Sequence, residues 1–247
     1  MPDNLSHSNL TSRKSNIKLW LPGEDMGGNH AEFLEERLEK LRPTQMTVGF
    51  AEVALKRKTF RALSTEGKRR FVSEHPFPAV RGPGGRYYIT DGHHLGRALL
   101  EEGAGAAKIS LLGDLSHFDA PAFWREMDQR GLSFPFDAKG GRQPFENMPR
   151  SLREMTDDPY RSLAAQVRRA GGYRKDSIPF AEFKWAEYFR RRLSLEAVNG
   201  FPELALQCAR KLARHGTALC AQCDAAFSKI CGARERTEDD LLSSENG

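Results

Sequence analysis

Tyr87-Tyr-Ile-Thr-Asp-Gly-His-His-Leu-Gly-Arg-Ala98 decides how this chain is read. Arg86 to Thr90 is rich in β-branched and aromatic residues and predicts a short strand, whereas Leu95, Ala98 and Leu99 recur at the spacing of an apolar helix face. Asp91-Gly-His-His94 therefore falls at a strand-to-helix junction. The first turn of a helix leaves backbone N–H groups unpaired and carries the positive end of the macrodipole, so it favours an anion. Gly92 lets a phosphate approach the backbone closely, His93 and His94 can donate hydrogen bonds to it, and Arg97 adds a forked, permanently charged donor. The plainer reading has Asp91 capping the helix and the histidines solvated or satisfied in the core.

Outward from the junction, Ala79-Val-Arg81 and the Arg86–Thr90 strand flank Gly82-Pro-Gly-Gly85, a hairpin signal because glycine supplies the positive φ angles of tight turns. Upstream, Ala31 to Leu41 predicts a short charged helix with Phe33, Leu34, Leu38 and Leu41 on one side, and Pro43 to Gly49 a strand. A basic helical stretch follows from Glu52 through Lys56, Arg57, Lys58 and Arg61 to Leu63, and His75-Pro-Phe-Pro78 breaks it. Downstream, Gly103-Ala-Gly-Ala106 punctuates, Ala107 to Leu112 returns as a strand, Phe118 to Gln129 is helical, and Gly131 to Met148 is a loop. Two further helices are expected: Pro159 to Ala170, closed by Gly171-Gly172, and Pro179 to Leu193, with proline in its first turn and a heavy aromatic face.

The fold class expected is α+β, a small mixed-sheet core followed by a helical region. Residues 1–30 are polar without sustained period and are expected to be a mobile arm, 31–135 the core, 136–215 a basic helical region, and 216–247 a polar tail bearing cysteines. The 39% hydrophobic and 29% charged content suits a globular protein, and no apolar run approaches a membrane span. The N-terminal residues carry no basic segment followed by an apolar core, so a cytoplasmic location is the expectation. The net charge of +5 favours anionic ligands. Oligomeric state is not legible.

From Arg150 to Arg192 eleven Lys and Arg stand against six Asp and Glu. With Phe180, Phe183, Trp185, Tyr188 and Phe189 nearby, Arg190, Arg191 and Arg192 are candidates for contact with DNA phosphates, although aromatics at helical spacing also read as core. All four cysteines, Cys208, Cys220, Cys223 and Cys231, fall in the last forty residues. They could complete a four-sulfur zinc site, but the helical period around Cys208 and the lack of a second Cys-x-x-Cys pair favour thiols in a reducing cytosol.

In combination these residues resemble a known family. Leu41-Arg-Pro-Thr-Gln45, Glu52-Val followed by Lys56, His75-Pro-Phe-Pro78, Asp91 to Ala98, Met155-Thr-Asp-Asp-Pro-Tyr-Arg-Ser-Leu163 and Pro179 to Ala186 look like the ParB-like nuclease family of the wider ParB and sulfiredoxin superfamily, over about residues 30–215. The resemblance implies a ParB/sulfiredoxin-like core, a phosphate turn at Asp91, and nuclease or DNA-binding activity. ParB partition proteins carry Gly-Glu-Arg-Arg-x-Arg-Ala at that turn, where this chain retains only Gly92, Arg97 and Ala98. Sulfiredoxin's reactive cysteine aligns with His93, so sulfinic-acid repair is not implied. The superfamily's free serine kinases match locally through Asp91-Gly92-His93, but the position of their carboxylate near the first strand holds Gln45.

The chemistry expected is binding of a nucleotide such as ATP, ADP or CTP, with NTPase or small-molecule kinase activity as one outcome and a ParB-type nuclease as the alternative. Phosphoryl transfer needs mainly positioning and charge neutralisation, which Gly92, His93, His94, Arg97 and Lys56 can supply. Asp91 is the candidate Mg²⁺ ligand, and Asp91, His93 and Glu52 are the candidate catalytic groups. Against the catalytic reading of Glu52, a surface pair with Lys56 four residues on is the plainer account.

Overall fold

Gly84 and Gly85, both at positive φ (67° and 70°), turn the chain between two antiparallel strands in which Ala79 faces Ile89. The computed structural model describes residues 33–173, 181–200 and 202–215. Its strands are β1 (Phe33–Arg37), β2 (Arg42–Pro43), β3 (Thr47–Val48), β4 (Phe77–Arg81), β5 (Tyr87–Ile89), β6 (Ala106–Asp114) and β7 (Thr156–Asp157). Its α-helices are α1 (Phe50–Arg61), α2 (Thr65–Glu74), α3 (His93–Glu101), α4 (Ala120–Gln129), α5 (Pro159–Arg169), α6 (Ala181–Arg190), α7 (Leu195–Gly200) and α8 (Pro202–His215). Among the described residues no helix is long and apolar enough to cross a membrane.

The main sheet has the order β1-β6-β4-β5-β2, with β6 parallel to β4 and β2 parallel to β5. Mixed strands and flanking helices make this an α+β fold, as the periodicities predict. Phe77, Ile89, Leu99 and Ile109 are buried with Leu38 and Leu41 on one side of the sheet, while Phe123 and Met127 of α4 pack with Val80 and Leu115 in a second cluster. A third cluster joins Tyr160, Leu163 and Val167 of α5 to Phe189, Val198 and Leu212.

Three local expectations are corrected. Ala31 to Leu41 is not a helix where it is described: β1 pairs antiparallel with β6, alternating in exposure along Phe33–Arg37, and a 3-10 turn follows at Leu38–Lys40. Tertiary pairing overrides a helical period that only four apolar residues supported. The strand expected at Pro43 to Gly49 is split into β2 and β3, which join different sheets. The basic helix ends at Arg61, and a second begins where the Ser64 hydroxyl accepts the Gly67 N–H at 3.1 Å.

The helical region is interlocked with the core. Leu152 and Met155 are buried in the sheet's own cluster, and β7 pairs in parallel with β3, Thr47 against Thr156. Phe134 N–H donates to the Thr44 carbonyl at 2.7 Å, so the chain on either side of residue 135 is tied to the same strand connection. The expected arm at 1–30 and the tail at 216–247 lie outside the described residues.

The start of α1 touches α5 directly. A Cβ on Gly49 would lie 2.4 Å from Ser162 Oγ and 2.6 Å from Ser162 N. That Oγ also accepts the Ala51 N–H at 3.2 Å. Gly49→Ala is expected to force the two helices apart and to lower stability by about 1–3 kcal/mol, read as a shifted urea midpoint at unchanged slope.

Candidate functional site

β5 ends at Ile89, and Asp91 and Gly92 turn the chain into α3. Gly92 sits at φ 80°, and a Cβ there would meet the Phe77 ring at 2.9 Å, so both conformation and space require glycine. Asp91 is exposed, and its Oδ1 accepts the Gly92 N–H at 2.6 Å. The first turn of α3, His93-His94-Leu95, follows immediately.

The two histidines face back toward the connection between β2 and α1. His93 is buried, and its Nε2 accepts the Thr44 N–H at 3.1 Å. A further hydrogen bond joins the ring to the Ile89 carbonyl. His94 Nε2 accepts the Gly49 N–H at 2.9 Å. An imidazole nitrogen accepts only when unprotonated, so both rings are neutral with the proton on Nδ1. Burial, reinforced by the Arg161 charge, pushes His93 down to about 3. Burial also holds His94 well below the ordinary histidine value, with Arg161, His93, Lys56 and Arg168 adding to the shift.

This geometry revises the expected phosphate contacts. In this arrangement the His93 ring is occupied on both sides, whereas the His94 Nδ1–H meets no acceptor among the described residues. Arg97 Nη1 donates to the carbonyls of Leu152 (3.0 Å), Arg153 (2.8 Å) and Met155 (3.1 Å), its Nε pairs with Glu101, and the guanidinium lies over the Phe50 ring. It is a strap between α3 and the segment before α5. Glu52 is buried and pairs with Arg169, not Lys56, so its carboxylate bridges α1 and α5. Lys56 is part-buried and close enough for its charge to act on His94.

The guanidinium that does approach the turn comes from a residue that no local motif marks, Arg161. Arg161 of α5 is 5% exposed, and its Nη1 donates to the Thr47 carbonyl at 3.0 Å. It lies 3.5 Å over the Phe183 ring. Burial lowers its pKa to about 10, against the opposing pull of Asp158, Glu182 and Asp91. The signal was Pro159-Tyr-Arg-Ser within the family-like stretch, but nothing local said that this arginine would reach a turn seventy residues earlier. Arg161, Lys56 and Arg168 all bear on the His94 ring; Arg168 is paired with Glu182 at 2.9 Å and Arg161 is balanced in part by Asp158, Glu182 and Asp91, which leaves Lys56 as the cation beside the turn that no carboxylate among the described residues pairs.

The basic run is also revised. Arg190 Nη2 donates to Asp158 Oδ2 at 2.6 Å, its Nε donates to the Ala138 carbonyl, and it pairs with Glu187, which makes it a bridge inside the fold. Arg192 lies over the Tyr188 ring, and Arg191 alone of the three is largely exposed. Phe183 and Phe189 are buried, in keeping with the core reading of the aromatic face. Among the described residues no three His, Cys, Asp or Glu side chains gather as metal ligands, and Asp91 is the carboxylate at the turn. Cys208 is buried in the helical cluster, and the other three cysteines lie outside the described residues.

Neutral imidazoles that hold backbone N–H groups make the fold acid-sensitive. Between the ordinary histidine value of 6.5 and about 3, an unfolded chain takes up a proton that folded His93 refuses. Its contribution is therefore intact above 6.5 and is lost as the pH falls toward 3, at roughly 1 kcal/mol per pH unit. Urea midpoints measured between pH 7 and pH 4 should fall more steeply for the native protein than for His93→Gln, and equal slopes would contradict this.

No curated protein matches the chain. A family described as "Putative ParB-like nuclease" matches residues 34–191. Among solved structures, protein Atu1540 from Agrobacterium tumefaciens is similar, with 42% identity and a TM-score of 0.71 over 76% of this chain and 93% of that one. The matched stretch includes the Asp91 turn, both histidines, Lys56 and Arg161. With more than half its length covered and a solved relative of this identity, the chain belongs to the ParB-like nuclease family.

Proposed function

We propose that the protein binds a phosphate-bearing ligand, a nucleotide such as ATP, ADP or CTP, at the opening of α3. The observation that carries this reading is the convergence of Arg161, Lys56 and Arg168 on the His94 ring beside the α3 amides. A neutral imidazole with an Nδ1–H, backbone N–H groups at a helix start and surrounding cations are the donor set that a phosphate dianion takes, and none of it must give up a proton to bind. Arg168 is already paired with Glu182, so the phosphate charge would be met chiefly by Lys56 and by the Arg161 guanidinium. Asp91 is the side chain that would hold Mg²⁺ against the phosphate oxygens, a hard-ligand arrangement typical of that ion. Glu52 is committed to Arg169, so the site is built for positioning and charge neutralisation and not around Glu52 as a general base.

Phosphodiester cleavage is the second reading, favoured by the description of the family. It would use the same turn: Asp91 would hold Mg²⁺, which would supply Lewis-acid polarisation, a water would attack phosphorus as the P–O bond to the leaving sugar oxygen breaks and that oxygen takes up a proton, and Lys56 and Arg161 would offset the developing charge.

Isothermal titration with ATP, ADP and CTP, with and without Mg²⁺, tests the first reading. Saturable binding is expected, weakened about tenfold in Lys56→Gln, whose side chain is only part-buried, and more in Arg161→Lys, because an ammonium cannot reproduce the guanidinium fork. Silence across the panel with folded protein would overturn it. Mg²⁺-dependent nicking of supercoiled plasmid, lost in Asp91→Asn, would favour the nuclease instead.

A further inference from the structure

Arg161 is a buried charge that no carboxylate directly pairs. It is 5% exposed, and of its nitrogens only Nη1 has an acceptor among the described residues, the Thr47 carbonyl at 3.0 Å. Asp158, Glu182 and Asp91 act on it through space, but Asp158 is itself paired with Arg190 and Glu182 with Arg168. Taking a guanidinium out of water is costly unless an anion and hydrogen-bond acceptors replace that water. Among the described residues the side-chain atoms that are sealed from solvent without a partner belong to Glu52, Arg168 and Arg210. The spare N–H groups of Arg161 therefore stay within reach of a small ligand.

Two other elements bring donors to the same place. α3 begins without a side-chain cap: Asp91 Oδ1 takes the Gly92 N–H instead, and the first amide bonded back along the helix is that of Gly96, to the Gly92 carbonyl. The N–H groups of His93, His94 and Leu95 thus have no acceptor among the described residues, and the His94 Nδ1–H is likewise unused. α1 contributes Lys56, whose charge, like that of Arg161, acts on the His94 ring. α5, α3 and α1 each supply donors around that ring, and the donors from α5 and α1 carry full positive charges.

We infer that the opening of α3 is built for a terminal phosphate, a phosphomonoester dianion, and discriminates against the phosphate of a diester. This rests on the phosphate reading above and narrows it. A monoester keeps three unesterified oxygens and nearly two negative charges at neutral pH, which matches donors from three elements and two cations. A diester keeps two such oxygens and one charge, so it would leave one donor group unmet and one cation unbalanced. Arg161 is the selecting residue, because it lies deepest and its planar fork can hold two oxygens of one phosphate while the third faces Lys56 or the α3 amides.

Isothermal titration of the full chain with AMP, 3′,5′-cyclic AMP and inorganic phosphate tests this, because the two nucleotides share base and sugar and differ in the second ester bond. AMP is expected to bind at least tenfold tighter than cyclic AMP, with inorganic phosphate competing for its site. Lys56→Gln, at a part-buried position, is expected to narrow that ratio severalfold by weakening AMP more than cyclic AMP. Arg161→Lys is expected to narrow it further where its urea midpoint shows it folded, and the Lys56 variant decides where it is not. Cyclic AMP binding as tightly as AMP, both displaced by inorganic phosphate, would overturn the terminal-phosphate assignment and leave the phosphate site standing. A ratio unchanged in Lys56→Gln would do the same. Nucleotide binding that inorganic phosphate never displaces, or silence of all three probes with folded protein, would overturn both.

Discussion

Two adjacent imidazoles, each accepting one backbone N–H, organise the centre of this molecule. Consecutive helix residues point about 100° apart, so His93 and His94 reach two different points of the preceding chain, Thr44 and Gly49. Between those points runs the segment that leads from β2 through β3 to the start of α1. Thr47 lies there, pairing with Thr156 and offering its carbonyl to Arg161, and Gly49 opens α1. Once the histidines fix that segment, the first N–H groups of α1 meet their partners: Phe50 donates to Asp157 Oδ1 at 2.7 Å and Ala51 to Ser162. A helix end that would otherwise be unsatisfied is closed by side chains from two other elements.

The same constraint shapes the electrostatics of the site. A charged imidazole donating from both nitrogens could not accept those hydrogen bonds, and burial, reinforced by the surrounding cations, keeps both rings neutral. The positive charge at the turn is therefore carried by arginine and lysine and not by the histidines. α5 links the two halves of the molecule: Leu163 and Val167 face the helical cluster, while Arg161 and Arg168 act on the α3 opening. Asp158 caps that helix through Tyr160 N–H, and burial raises its pKa even though Arg190 and Arg161 pull the other way.

What the sequence disclosed followed local rules. Gly82 to Gly85 announced the hairpin, Asp91-Gly92 the junction between strand and helix, and Pro159 the start of α5, because each depends on backbone geometry that few residues can adopt. What it withheld depended on partners distant in the chain. Phe33 to Arg37 is a strand because β6 lies beside it, and Glu52 is a structural anion because Arg169 lies opposite. Arg97 and Arg190 read as free charges since an arginine and its acceptors lie up to 58 and 52 residues apart. Arg161 was invisible for the same reason, and with it the geometry of the candidate site. The paired histidines stand out in the sequence, but whether they face a ligand or a backbone amide is not written in their spacing.

The strap from Arg97 to the carbonyls of residues 152, 153 and 155, together with the burial of Leu152 and Met155 beneath the sheet, bears on how the molecule is made. The sheet strands are complete by Asp114, yet part of the floor they rest on comes from forty residues later. A nascent chain emerging from the ribosome would hold an unfinished sheet, with apolar side chains uncovered, until that floor arrived. Synthesis as far as Met155 is thus a condition for closing the sheet's core, and the interval is a window in which chaperones have something to hold.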